Sequence, residues 1–339
     1  MRKMIIIIDG WGDKFSIFKK AKTPNMDKIA LMGMKTYMNP IKGVAPESGA
    51  SQFVILGQPL NKYTGRGPME ALGSGIKLKK GEIAIRCNFA TLKKGMVSDI
   101  RTKIPDKRII TKLNKIDKNI RIIPTLEYRA IMIVKNVNSN NVKNTHPGYV
   151  KMGNISRAVQ YNLNFKERIT GIKEIDDFLF RAEHIMKNKT LVIRGAGSSL
   201  PKVKKMKDWE FIGDMPIEYG LAKLLGMTIN HRPKTLKQEI EKVVKAKKNI
   251  YLQIKSPDFY SHKGDCKRKI KEIEKIDKAL KPLIKLVEEN KIIVCITADH
   301  ATPCSVKVHT ADPVPFIISP YRKRLGMRIQ GKDVMKLLR

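Results

Sequence analysis

The sequence predicts an α/β protein organised around a mostly parallel sheet. Two observations carry this. Short apolar runs alternate with longer segments whose apolar residues recur every three to four positions, and several of the runs end on a carboxylate or a glycine turn. Ligands of such sheets belong at the carboxyl ends of the strands. A chain of 339 residues can bury a substantial core, and its length suggests about two domains.

Taken in order, MIIIID is a buried strand over residues 3–8 that delivers Asp9; its isoleucine run is far too short for a signal-peptide core or a membrane span. TPNMDKIALMG from Thr23 reads as a helix opened by Thr-Pro and closed by Gly33. Ser48 begins SGASQFVILG, the first turn of a helix, where free N–H groups and the helix dipole favour a serine alkoxide or a bound phosphate. IAIRCNF (83–89) and YRAIMIVKNV from Tyr128 alternate as strands, and residues 136–144 form a polar, Asn-rich loop. ITGIKEIDDFLFRAEHIM from Ile169 is helical, TLVIRGAG is a strand running into a glycine turn, PIEYGLAKLLGM is a helix and NIYLQI a strand. The basic segment 267–289 is a helix with Ile270, Ile273, Ile276, Leu280 and Leu283 on one face. KIIVCITADH is a buried strand that delivers Asp299 and His300, and VPFIIS is another. No internal repeat or low-complexity linker breaks this order.

Apolar residues make up 42% of the chain, which excludes a disordered protein. Cys87, Cys266, Cys295 and Cys304 include no CxxC pair. That fits free, mostly buried thiols in a reducing cytoplasm, not a disulfide framework or a zinc ribbon. A soluble, cytoplasmic protein without a membrane partner is expected. The formal charge is +37, from 68 Lys and Arg against 31 Asp and Glu. Such a charge favours nucleic acid through phosphate neutralisation. The basic residues are spread along the whole length, however, without a basic tail, an Arg-rich helix or interleaved aromatics. Lys, Ile and Asn are abundant everywhere, as in proteins of AT-rich genomes. The compositional reading is preferred and nucleic acid is not expected as a partner; the positive field still draws anionic substrates.

Metal-ligand signals gather near the C-terminus, in Asp258 and His262 of SPDFYSH, Asp299-His300 of ITADHATP and His309 of KVHTADPVP. This stretch holds three of the six histidines. Asp9 and Asp299-His300 each follow an apolar strand, so both reach one edge of the sheet; with the Ser48 oxygen they suit Mn²⁺ or Zn²⁺. Asp258 and His262, spaced i, i+4, share a helix face at chelating separation. Singly, each has a plain alternative. Asp9-Gly10 is a common turn, one Asp-His pair is more often solvated than functional, and His309 fits a surface loop. Together they make two sets of oxygen and imidazole ligands around a hydroxyl nucleophile, the equipment for phosphate chemistry assisted by two metals.

At this point the chain resembles a known family. IIIIDGWGD, TPNMDKIA, the serine segment ending in ILG, YTGRGPMEALGSGIKL, IAIRCNFAT, RGAG, DFYSHKGD with KIKEIEKID, and TADHATPCSVKVHTADPVPFII are similar to the archaeal-type, 2,3-bisphosphoglycerate-independent phosphoglycerate mutases of the alkaline phosphatase superfamily. The blocks run from residue 4 to about 320, nearly the whole chain. The resemblance implies an alkaline-phosphatase-like core over 1–75 and 195–339, with a smaller α/β domain inserted at 76–194 that closes over the substrate. It implies one metal site of Asp9, Ser48, Asp299 and His300 and another of Asp258, His262 and His309. Two divalent ions are expected, Mn²⁺ first, with Mg²⁺, Zn²⁺ or Co²⁺ as alternatives, and no 2,3-bisphosphoglycerate. Ser48 is the implied nucleophile. Arg66, Arg86, Arg101 and Arg194 are the implied contacts to the phosphate and carboxylate of phosphoglycerate, and Asp99 the implied proton shuttle.

The chain also departs from the family pattern. It is shorter than typical members, the loss falling in the insert, and the Asp-Arg-rich segment is reduced to Asp99-Ile-Arg101-Thr-Lys103. Family members usually carry Asp after the serine and His four residues on; here these are Gly49 and Gln52. Ser51 stands as the alternative nucleophile. An Asp-Pro-His segment has become NTHPG, which leaves His146 as a substrate contact. These departures spare the metal core and touch the specificity half. They leave open a related phosphotransferase such as a homoserine kinase-like enzyme, a phosphohydrolase, or a non-catalytic RNA-binding protein on an old fold. Seven metal-directed side chains argue against the last.

Overall fold

The computed structural model describes residues 1–13, 20–161, 168–231, 233–322 and 328–339. The chain divides into two compact units, one of Met1–Asn61 with Val203–Arg339, the other of Lys62–Lys202. The first carries an eight-stranded sheet in the order Thr228–His231, Trp209–Gly213, Asn249–Ile254, Arg2–Ile8, Ile292–Thr297, Val314–Ser319, Met34–Asn39, Arg328–Gln330. Val314–Ser319 runs antiparallel to both its neighbours and the other pairings are parallel. Central parallel strands are covered on both faces, which is why Ile5–Ile8 and Ile292–Ile296 are uninterrupted apolar runs.

Helix Cys266–Glu288 packs on this sheet beside helix Pro24–Leu31. It buries Ile273, Ile276, Leu280 and Leu283 as the periodicity predicts, but Ile270 is only half-buried and Lys269 is fully buried in its first turns. The reason is local. Lys269 Nζ donates to Asp13 Oδ2 at 2.7 Å, Thr302 O at 3.0 Å and Gly12 O at 3.3 Å, so its charge is met inside the protein.

The second unit differs from the parallel pattern. Its five-stranded sheet is antiparallel, ordered Met96–Asp99, Glu82–Lys93, Arg129–Lys135, Ile120–Pro124, with Lys189–Gly197 also paired to Glu82–Lys93. Helix Lys173–Met186 covers one face, and Ile175, Phe178, Leu179 and Ala182 enter its core. The helix begins at Lys173, not at Ile169. Asp176 Oδ1 accepts from both the backbone N–H and the hydroxyl of Thr170 at 2.7 Å, and Gly171 has φ +79°, so the chain turns before it coils. Helix Arg66–Gly73 lies against strand Glu82–Lys93 so closely that a Cβ on Gly67 would sit 2.1 Å from Ala84 O.

Candidate active site

Asp9 and Asp299 leave the adjacent parallel strands Arg2–Ile8 and Ile292–Thr297 at the same edge of the sheet. Gly10 turns the chain there at φ +65°, where a Cβ would meet Asp258 Oδ1 at 2.9 Å, so a glycine lets the helix Ser256–Lys263 bring Asp258 against the Asp9 loop. Ligand atoms of Asp9, Asp299 and His300 lie within 4.8 Å of one another, and so do those of Asp258, His300 and His309. His262 Nε2 is 3.4 Å from Asp258 Oδ1. The His309 ring stacks on His300 with centroids 3.5 Å apart and lies 5.3 Å from His262. Ser48, the first residue of helix Ser48–Ile55, places Oγ 3.2 Å from His300 Nε2. Ser51 instead turns its hydroxyl back to the carbonyl oxygens of Glu47 and Ser48.

All three imidazoles are oriented through Nδ1. His262 donates to Lys307 O at 2.8 Å and His309 to Pro46 O at 2.7 Å. Thr302 gives its proton to Asp258 Oδ1 at 3.2 Å, so its oxygen accepts from His300 Nδ1 at 2.9 Å. With the proton on Nδ1, each ring turns its Nε2 lone pair inward, the tautomer a metal-binding imidazole needs. Asp299 Oδ1 is buried without a hydrogen bond, and Asp9 Oδ1 faces only His300 Nε2, at 3.2 Å. Such oxygens are costly unless a cation or a proton meets them.

The site holds on to positive charge. Burial, and then the charge of Asp9, push the Asp299 carboxyl up. Burial opposes protonation of His300, yet the carboxylates of Asp299 and Asp9 raise its imidazole above the usual range. Lys255 Nζ joins Asp9 Oδ2 at 2.8 Å to Asp258 Oδ2 at 2.6 Å, and these two carboxylates overcome burial to raise its ammonium. Hard carboxylate oxygens, a hydroxyl and imidazole nitrogens at these separations fit divalent ions of the Mn²⁺ or Zn²⁺ kind.

In the second unit the arginines converge. Arg86 and Arg194 stand directly opposite each other across the antiparallel pair, and both are buried with Arg66, Arg129 and His146. Like charges opposite each other destabilise a sheet. Glu70 offsets part of this, accepting from Arg66 Nε and Nη2 at 3.0 and 2.8 Å and pairing with Arg86 Nε at 3.3 Å. Burial alone would raise the Glu70 carboxyl, but Arg66 and Arg86 bring it down to about 2. The Arg194 guanidinium lies 3.7 Å over the Tyr149 ring. Four buried guanidinium groups, with Glu70 against Arg66 and Arg86 and Glu127 against Arg129, make a desolvated basic site suited to a carboxylate or phosphate. Burial, then Arg194 and Arg86, hold the His146 imidazole well below its usual range.

Arg101 is half-buried with its guanidinium 5.9 Å from the Tyr128 ring centre, near enough for its charge to act on His146. Asp99 is exposed and serves a local turn, accepting from the Arg101 N–H at 2.9 Å. Sequence reading missed Glu70, Arg129 and Lys255. Glu70 had a signal, its i, i+4 spacing from Arg66 on a helix. Lys255 had none among 68 basic residues.

Comparison with known proteins adds to this geometry. The family model described as Metalloenzyme superfamily matches residues 1–334. A Methanocaldococcus jannaschii protein named 2,3-bisphosphoglycerate-independent phosphoglycerate mutase 1 is 31% identical, the match covering 93% of this chain and 87% of that protein. An Archaeoglobus fulgidus protein of the same name is 29% identical, over 94% of this chain and 88% of its own length. Among solved structures, a Pyrococcus horikoshii protein shares the fold with a TM-score of 0.74 at 22% identity, over 99% of this chain and 96% of that one.

Proposed function

Because the chain belongs to the Metalloenzyme superfamily and, within it, to the 2,3-bisphosphoglycerate-independent phosphoglycerate mutases, we propose that it interconverts 3-phosphoglycerate and 2-phosphoglycerate through a phosphoserine at Ser48. The observation that carries the reading is Ser48 at a helix N-terminus, 3.2 Å from an imidazole beside the buried carboxylate oxygens Asp9 Oδ1 and Asp299 Oδ1, which accept no hydrogen bond.

The enzyme depends on divalent metal, and Mn²⁺ is the ion we assign. Asp9, Ser48, Asp299 and His300 would hold one ion and Asp258, His262 and His309 the other; when bound, they lower the pKa of the serine hydroxyl and neutralise phosphoryl oxygens. The chain's own groups do the rest. Ser48 Oγ attacks phosphorus as the bond to the glycerate oxygen breaks, and that oxygen takes up a proton. The other glycerate hydroxyl then attacks phospho-Ser48, loses its proton and releases the serine. Asp99 is the proposed carrier of that proton between the two hydroxyls. The free N–H groups of the first turn of helix Ser48–Ile55 face the phosphoryl group. Arg66, Arg86, Arg101 and Arg194 are assigned to the substrate's carboxylate and phosphate, joined by Arg129 and the neutral His146. Ser48 is 6% exposed, which limits the water able to hydrolyse phosphoserine and so favours transfer over hydrolysis.

Replacing Ser48 with Ala removes the nucleophile but no carboxylate or imidazole. Turnover of 3-phosphoglycerate should fall by a factor on the order of 10⁴ or more, while Mn²⁺ still binds and the thermal unfolding curve is retained. Appreciable mutase activity in this variant would rule out a phospho-Ser48 route.

A further inference from the structure

Asp299 is held by a buried polar chain that takes part in no chemical step of the reaction. Gln52 is 0% exposed and occupies the second turn of the helix that begins at Ser48. Its Nε2 donates to Asp299 Oδ2 at 2.8 Å and reaches Glu218 Oε1 at 3.4 Å. Its Oε1 accepts a hydrogen bond from the hydroxyl of Tyr251, a side chain also 0% exposed, on strand Asn249–Ile254. The amide is thus fixed from both ends. Tyr251 takes the oxygen, so the two N–H groups must point at carboxylates. Those carboxylates, Asp299 and Glu218, are both buried, and a neutral donor set between them keeps two like charges from facing each other.

Resting on the metal-dependent reading above, we propose that Gln52, held by Tyr251, is the positioning residue that orients Asp299 for its metal ion. Asp299 Oδ2, engaged by the amide, also stands 3.6 Å from His300 Nε2, and Oδ1 makes no hydrogen bond of its own, so the amide fixes how the carboxylate sits against the ligand group. Outer partners of this kind orient a ligating carboxylate and set its affinity, and losing one costs about 10- to 100-fold in metal binding. The effect is local to one of the two ligand groups. Asp258, His262 and His309 are oriented by Thr302, Lys307 O and Pro46 O and owe nothing to Gln52.

The test is a Mn²⁺ titration of the full-length protein, followed by electron paramagnetic resonance, for wild type, Gln52→Met and Tyr251→Phe. Gln52→Met keeps the volume and removes the donors; Tyr251→Phe removes only the hydroxyl that fixes the amide. Wild type should bind two Mn²⁺. Each variant should keep one site unchanged and weaken the other about 10- to 100-fold, Tyr251→Phe less than Gln52→Met. Gln52→His, which restores one ring N–H donor, should recover part of the loss; a role in folding alone would shift both sites together. Two Mn²⁺ sites of unaltered affinity in both variants would overturn the positioning role and leave the mutase reading intact. A wild type that binds no Mn²⁺ would overturn the metal-dependent reading and this inference with it.

Discussion

His146 illustrates how a single residue reports on its surroundings. Burial and the charges of Arg194 and Arg86 keep it neutral when folded, whereas in the unfolded chain it titrates at its ordinary value of 6.5. Its folded pKa is depressed, so below 6.5 the unfolded state binds the extra proton and stability falls as pH falls. Urea unfolding between about pH 7 and 5 should show a slope that His146→Gln reduces by up to about 1.4 kcal/mol per pH unit. An unchanged slope would mean the imidazole titrates alike in the folded and unfolded chains. The same scale shows what sequence makes legible. Asp9, Asp299 and His300 were readable because each ends a strand whose apolar run announces itself. Sequence already placed Ser48 ahead of Ser51, and the structure adds that Ser51 turns its hydroxyl to the helix's own carbonyls. Gln52 looked like the loss of an imidazole. In the structure it is an amide with both ends engaged.

Among the elements, helix Cys266–Glu288 does more than cover the sheet. Lys269 in its second turn holds Asp13 and Thr302 O, which follow Asp9 and His300 in the chain, and so ties two ligand-bearing loops to one helix. Both Lys269 and Asp13 are buried, so Lys269→Met removes the cationic half of a buried ion pair. A loss of about 3–5 kcal/mol in urea unfolding is expected, together with weaker Mn²⁺ binding; a loss below about 1 kcal/mol would show the pair to be dispensable. Periodicity could not reveal this lysine, because a buried cation and a solvated one look alike in a helix rich in both. Strands followed a similar rule. The doubly covered parallel strands were legible as continuous apolar runs. Met34–Asn39, with the burial of a sheet margin, and the short Thr228–His231 and Arg328–Gln330 were not. In the antiparallel sheet of Lys62–Lys202 the strands at residues 83–89, from Tyr128 and at TLVIRGAG were legible, but Met96–Asp99, Ile120–Pro124 and the direction of pairing were not, since alternation fixes a strand's faces and not its partner's sense.

For the whole molecule, the two units hold different halves of the chemistry. Met1–Asn61 with Val203–Arg339 carries Ser48, the proposed nucleophile, and the metal-directed groups, and Lys62–Lys202 the arginine cluster. The departures read in sequence, at the serine segment and in the shortened insert, left the buried ligands and Arg66, Arg86 and Arg194 in place, so both halves retain a physical basis for acting on a phosphorylated, carboxylated substrate. A net charge of +37 supports the same substrate class through long-range attraction, which predicts that kcat/KM falls as salt is raised. Among the described residues no helix is long and apolar enough to cross a membrane. The most direct test of the account is phosphorus NMR of the purified protein with Mn²⁺ and 3-phosphoglycerate and no added 2,3-bisphosphoglycerate. The 2-phosphoglycerate resonance should grow to equilibrium with little inorganic phosphate. Inorganic phosphate alone, or an unchanged 3-phosphoglycerate signal, would contradict it.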